Sequence, residues 1–253
     1  MKDISVPFSL YDFLAILFPG FAGGLGIYLF FDPTLAKSSA FIQTLGTVNE
    51  LILLTLVIIG GYFIGHLFNA VSELIVDRPA NTLLGWTGSR YLANLGILRD
   101  LGFHGFAIIN HKLKFPKRLF EYSAADDWLT QVGALLLNCM QAQFGDVEKD
   151  YGYTFTVIRA FVAKSNPEAA GEAKIFAATG AMFQSLTLAI LVIGTALLKG
   201  VFTKSLSETY LAPILIGTIG IALLTFFSYR RYKRMWTETF YAGFMAVAKK
   251  TTE

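Results

Sequence analysis

A run of about twenty uncharged and mostly apolar residues, Thr209 to Tyr229, leads directly into Arg230, Arg231, Lys233 and Arg234, and this pairing constrains the chain more than any other feature. As a helix, such a run spans a hydrocarbon core of roughly 30 Å, and a basic cluster at one end holds that end on the cytoplasmic side. Composition agrees, since 54% of the 253 residues are hydrophobic and only 15% are charged; soluble domains carry about 25% charged residues. The expectation is an all-α polytopic membrane protein. A net charge of +3 gives no case for nucleic-acid binding, and the lone Cys139 rules out an intrachain disulfide.

Three further apolar segments complete a reading of four transmembrane helices. The first, Phe13 to Phe31, has no charge but carries Pro19-Gly20 with Gly23, Gly24 and Gly26 close behind, which predicts a kinked helix packed against protein. In the second, Leu51 to Ala70, Gly61 and Gly65 share a face and permit close approach of another helix. His66 and Asn69, three apart near the end of that span, are the candidate polar or gating pair inside the membrane. The third span, Ile175 to Leu198, continues without a break from a helix start at Ser165-Asn166-Pro167-Glu168.

These spans set the expected organisation: residues 1–70 hold spans 1 and 2, residues 71–174 a helical cytoplasmic domain, residues 175–229 spans 3 and 4, and residues 230–253 a cytoplasmic amphipathic helix. The terminal segments carry Lys2, Arg230, Arg231, Lys233, Arg234, Lys249 and Lys250, whereas the two short loops on the other side carry only Lys37, Lys199 and Lys204. That bias places both termini in the cytoplasm and the protein in the inner membrane. Within the middle domain, Leu135, Leu136, Cys139 and Met140 continue an apolar stripe at helical spacing that begins near Trp128. In the tail, Tyr229, Tyr232, Trp236, Phe240 and Phe244 recur every three or four residues, a helix that can lie on anionic lipid or pack beneath the spans; Arg230, Arg231, Lys233, Arg234 and Trp236 are the expected lipid anchors.

Motifs of catalysis are missing: there is no phosphate-binding Gly-x-x-x-x-Gly-Lys-Ser/Thr loop, no His-Glu-x-x-His, no Cys-x-x-Cys and no Gly-x-Ser-x-Gly. His66, His104 and His111 are too scattered to define a metal site, even with Asp126 or Asp127 beside the last two, and no cofactor is expected. The basic run Lys112, Lys114, Lys117 and Arg118, interleaved with Leu113 and Phe115, reads as a membrane-surface edge or as a site for an anionic ligand such as a nucleotide.

Two resemblances add to this reading. Arg99-Asp100-Leu101-Gly102-Phe103-His104 resembles the Arg-x4-6-His motif of HEPN ribonucleases, which implies RNA cleavage by Arg99 and His104 as an alternative activity; Gly102 departs from the continuous helix such a motif occupies. The stretch Phe8 to Gly20, with Gly65-His66 and Met182 to Leu186, resembles a loosely defined class of uncharacterised prokaryotic four-span membrane proteins, some of them associated with antiviral defence systems. That likeness implies a protein that oligomerises and perturbs the inner membrane. The helix continuous from Pro167 into the third span, the glycine-rich first two spans and the absence of catalytic motifs lead to the expectation of a non-enzymatic homo-oligomer, a channel or membrane-perturbing effector whose cytoplasmic domain answers to a protein partner or anionic ligand. A membrane anchor for a soluble partner and a lipid-processing enzyme are the remaining alternatives.

Overall fold

A computed structural model describes residues 10–34, 50–84, 135–136, 138–144 and 151–252. Among these residues there is no strand, as expected for apolar segments whose only means of satisfying backbone polar groups in lipid is the intrahelical ladder. Helix α1 is Leu10–Phe31, and α2 is Glu50–Ser72. A π turn over Glu73–Asp77, closed by the Arg78 N–H donating to the Glu73 carbonyl, carries α2 into the short α3, Arg78–Leu84. Helices α4 (Tyr151–Ser165), α5 (Pro167–Phe202) and α6 (Leu211–Thr252) come next, with a 3-10 turn at Glu208–Tyr210 before the last.

Three helical stretches are long and apolar enough to cross a membrane: Leu51–Asn81, Pro167–Phe202 and Glu208–Ala248. The apolar part of α1, Ala15–Phe31, is shorter. Large apolar side chains on these helices lie open, with Leu51 at 71%, Phe63 at 72%, Ile216 at 73% and Leu224 at 69% exposure. A water-facing surface does not sustain so many, and a lipid-facing one requires them.

The chain divides into two compact units, Met1–Pro79 with Ala177–Tyr232, and Ala80–Phe176 with Lys233–Glu253. The divisions fall inside α3, α5 and α6 and in no loop between them.

In the first unit, α1 and α2 cross with their backbones in contact. A Cβ on Gly20 would overlap the Gly61 carbonyl, and one on Gly65 would overlap the Ile16 carbonyl. Gly23 receives the ring of Phe68, and Gly61 that of Phe21. Pro19 is fully buried beside this crossing, where packing against protein accommodates the helix bond it removes. Gly26 seats Val192 and Ile193 of α5 against α1, and Gly194 of α5 seats Thr218 of α6. Past the end of α1, Lys199 donates to the Phe30 carbonyl at 2.9 Å and lies 4.0 Å from the centre of its ring. The buried Asp32 accepts from Tyr28 and Thr34 at 3.3 and 3.0 Å. Helices α5 and α6 are joined by a tight turn in which Lys204 takes the left-handed conformation, φ 57°, and the Ser207 hydroxyl accepts from the Thr209 N–H.

The second unit is built on one apolar cluster that includes Leu136, Cys139, Met140, Phe155, Ile158, Val162, Phe240, Tyr241 and Phe244. Asn166 opens α5: its side chain accepts from the Ala169 N–H at 3.2 Å, and Pro167 fills the first helical position, where an N–H would have no partner. The basic and aromatic tail is not a separate helix but the C-terminal part of α6. Its stripe is turned into this cluster, with Phe240, Tyr241 and Phe244 buried.

Candidate functional site

A hydroxyl, amide or carboxylate within apolar helices finds no water to bond, so such groups collect where helices meet. In the first unit they collect between α2, α5 and α6. Asn69 and Ser72 lie three apart and therefore on one face of α2. Ser72 is fully buried; its hydroxyl donates to the Asn69 carbonyl at 2.9 Å and lies 3.4 Å from the Ser185 hydroxyl of α5. Ser185 in turn donates to the Asn69 side-chain oxygen at 3.3 Å. These three residues form one hydrogen-bonded contact between α2 and α5.

Two positions further along α5, the buried Thr187 meets Thr225 of α6. Its hydroxyl has two acceptors, the Phe183 carbonyl on its own helix at 2.8 Å and the Thr225 hydroxyl at 3.0 Å. Thr225 has the Ile221 carbonyl on its own helix, also at 3.0 Å. Each hydroxyl carries one proton, so this pair exchanges bonds within a helix for a bond between helices without leaving an oxygen unserved.

At the end of this layer the charged groups enter. The fully buried Tyr229 donates from its phenol to the carboxylate of Asp77, the last residue of the π turn. The side chain of Arg230, itself buried, is hydrogen-bonded to the same phenol. A cation and an anion thus flank one neutral hydroxyl, an arrangement that joins the π turn after α2 to α6. Tyr232, on the next turn of α6, stacks on Phe183 of α5 at 5.6 Å between ring centres.

The residues singled out from sequence reach different places. Asn69 is within the polar layer, whereas His66 is exposed, its ring edge-on to Tyr62 at 4.5 Å. The structure does not bring His66 and Asn69 to one partner. Arg230, expected at the lipid surface, is buried against Tyr229, and Arg231 is exposed. Arg234 pairs with Glu238 one turn on, at 2.7 Å. Trp236 packs edge-on to Phe155 at 5.2 Å and takes the Arg159 guanidinium on its face at 5.4 Å, with Lys233 at 5.9 Å. The basic run Lys112, Lys114, Lys117 and Arg118, the pair Arg99 and His104, and His111, Asp126 and Asp127 lie outside the described residues. Among the described residues no group of three His, Cys, Asp or Glu side chains is placed to hold a metal ion.

Sequence reasoning does not find Ser72, Ser185, Thr187, Thr225 or the pairing of Asp77 with Tyr229. A signal exists for the hydroxyls, since serine and threonine inside an apolar span are the usual bonding groups between helices. None exists for Asp77, because a π turn sets which way it faces. Comparison with known protein families, with curated proteins and with solved structures returns no match.

Proposed function

We propose that this chain is a non-enzymatic inner-membrane protein of four spans, which assembles with further copies of itself and alters the packing of its spans when its helical unit engages a cytoplasmic protein or an anionic ligand. The observation that carries this reading is the continuity of α5 and α6, each of which passes from the span-forming unit into the other without a break. A helix shared by two units carries a rotation or tilt from one to the other, which a loop would absorb.

Helix α1 serves as the fourth span in this reading. Its 22 residues amount to roughly 33 Å at 1.5 Å per residue, a length that matches the hydrocarbon core. Phe18, Leu25, Phe30 and Phe31 are open along it, as lipid contact requires. The polar layer suits a change in packing, because its bonds lie between helices and its hydroxyls have alternative acceptors. Such a change opens a conducting path or perturbs the bilayer.

The test is reconstitution of the full chain in vesicles of phosphatidylethanolamine and phosphatidylglycerol. Ion efflux is measured with and without adenine nucleotide as the anionic probe, and particle mass is measured in detergent. The expected result is an oligomer whose efflux depends on the probe. A monomer in every condition overturns the assembly, and an oligomer that is impermeable in every state removes the conducting path and leaves a scaffold.

A further inference from the structure

We infer that the π turn at Glu73–Asp77 and the Asp77–Tyr229 hydrogen bond together form a latch, in which conversion of the turn to α-helix withdraws Asp77 from Tyr229 and frees the turn from α6. The inference deepens the proposed function by naming the element whose two states would alter span packing, and it rests on that reading for its consequence only.

Three observations converge on it. First, the turn is an irregularity inside otherwise continuous helix: Arg78 N–H bonds Glu73 five residues back, while α2 before it and α3 after it are regular. A π turn holds one residue more than the α-helix it interrupts, so its conversion to α-geometry rotates the helix on one side of it by about 100° relative to the helix on the other. Second, the residue at the end of the turn is Asp77, whose carboxylate receives the phenol of Tyr229 on α6, with Arg230 bonded to the same phenol. Rotation by about 100° moves a side chain to another face of its helix, so this bond exists in only one of the two geometries. Third, the turn itself is lightly packed. Glu73, Leu74 and Ile75 are exposed, the latter two at 52% and 53%, and Val76 alone of its five residues is buried. Little packing opposes the conversion within the turn, and the Tyr229 bond at its end opposes it.

The latch is also placed where it would matter. Ser72, just before the turn, belongs to the Asn69–Ser72–Ser185 contact that ties α2 to α5. A rotation beginning at residue 73 leaves that contact in place and releases the bond from Asp77 to α6. The turn therefore lies between α2, tied to α5 at Asn69 and Ser72, and the segment that carries Asp77 toward α6.

Variants with opposite expected effects test this in the full chain in vesicles of phosphatidylethanolamine and phosphatidylglycerol. Tyr229→Phe keeps the ring and removes the hydroxyl, and Asp77→Val removes the carboxylate that accepts from it at similar helix propensity. Each should speed backbone hydrogen exchange over residues 73–78 by about tenfold, the change that corresponds to losing one hydrogen bond to a charged group. The double variant should exchange no faster than the quicker single one, because both remove the same bond. Deletion of Leu74 removes the extra residue, so the helix runs as α-helix with Asp77 still facing Tyr229; its exchange there should be slower than that of the unaltered chain. Unchanged exchange in Tyr229→Phe and in Asp77→Val, or faster exchange in the deletion, overturns the latch. Ion efflux from the same vesicles reports the wider reading separately: the expected result is raised efflux in the two substitutions and not in the deletion. Altered exchange with no efflux in any variant upholds the latch and removes the conducting path.

Discussion

A methyl group at position 20 has nowhere to go, because the space it would enter already holds the carbonyl of Gly61. Gly20→Ala should therefore cost about 1–3 kcal/mol through overpacking, and thermal unfolding in detergent monitored by circular dichroism will show a lower midpoint. Gly60, the next residue to this contact, meets nothing within 4 Å, so Gly60→Ala should leave the midpoint unchanged or raise it, by roughly 0.5–1 kcal/mol. The same substitution one position away from a contact thus has the opposite sign. In the polar layer, Ser185→Ala removes the bond to Asn69 and the contact with Ser72, and the loss should be about 0.6 kcal/mol, the average for a bond between helices in a membrane. The close-packing face of Gly61 and Gly65 is legible in the sequence, because spacing alone puts them on one side. Their partners, Gly20 and Ile16, are not, since which helix crosses there depends on tertiary packing. His66 and Asn69 show the same limit: neighbours along the chain, they differ in exposure according to what lies opposite each.

Helix starts and the fates of apolar stripes belong to the scale of the element. The beginning of α5 is readable because its signal is local, an asparagine that accepts from the chain three residues on and a proline at the first helical position. Asn166→Ala should cost about 1 kcal/mol and speed hydrogen exchange in the first turn of α5. The aromatic spacing in the tail of α6 predicts an amphipathic helix that lies on lipid or packs against protein, and the stripe is turned into the apolar cluster of its own unit. Periodicity identifies that a helix has an apolar face, and it cannot say whether lipid or protein covers that face. Phe244 is fully buried in this cluster, as Cys139 is nearly so, and Cys139 is the one cysteine of the chain. Phe244→Ala should cost about 3–5 kcal/mol and should also make the Cys139 thiol react faster with maleimide, since a cavity in the cluster lets it open more often. An unchanged thiol rate would mean that the cluster does not protect that residue.

For the whole molecule the question of arrangement reduces to which ends of the helices face which side of the bilayer. The proposed orientation puts the turn between α5 and α6 outside. In a Cys139→Ala background, Ser205→Cys, at an exposed position of that turn, should be labelled in intact cells by an impermeant maleimide. Glu168→Cys, exposed in the first turn of α5, should be labelled only after the cells are opened. The reverse pattern would invert the topology. Apolar length makes the helical character and the stretches long enough to cross a membrane legible in advance, because it is a property of stretches of chain. The π turn and the polar layer stay hidden, because they depend on how one helix is rotated against another.

The crossing of α1 and α2 bears on where motion can arise. Backbone touches backbone at Gly20 and Gly61 and again at Gly65 and Ile16, with the rings of Phe21 and Phe68 seated on Gly61 and Gly23 beside these contacts. Such a junction behaves as a fulcrum: the two helices can swivel about it but cannot shear past one another. A change in packing that kept this crossing would be made by α5, α6 and the far end of α2 turning about its pivot.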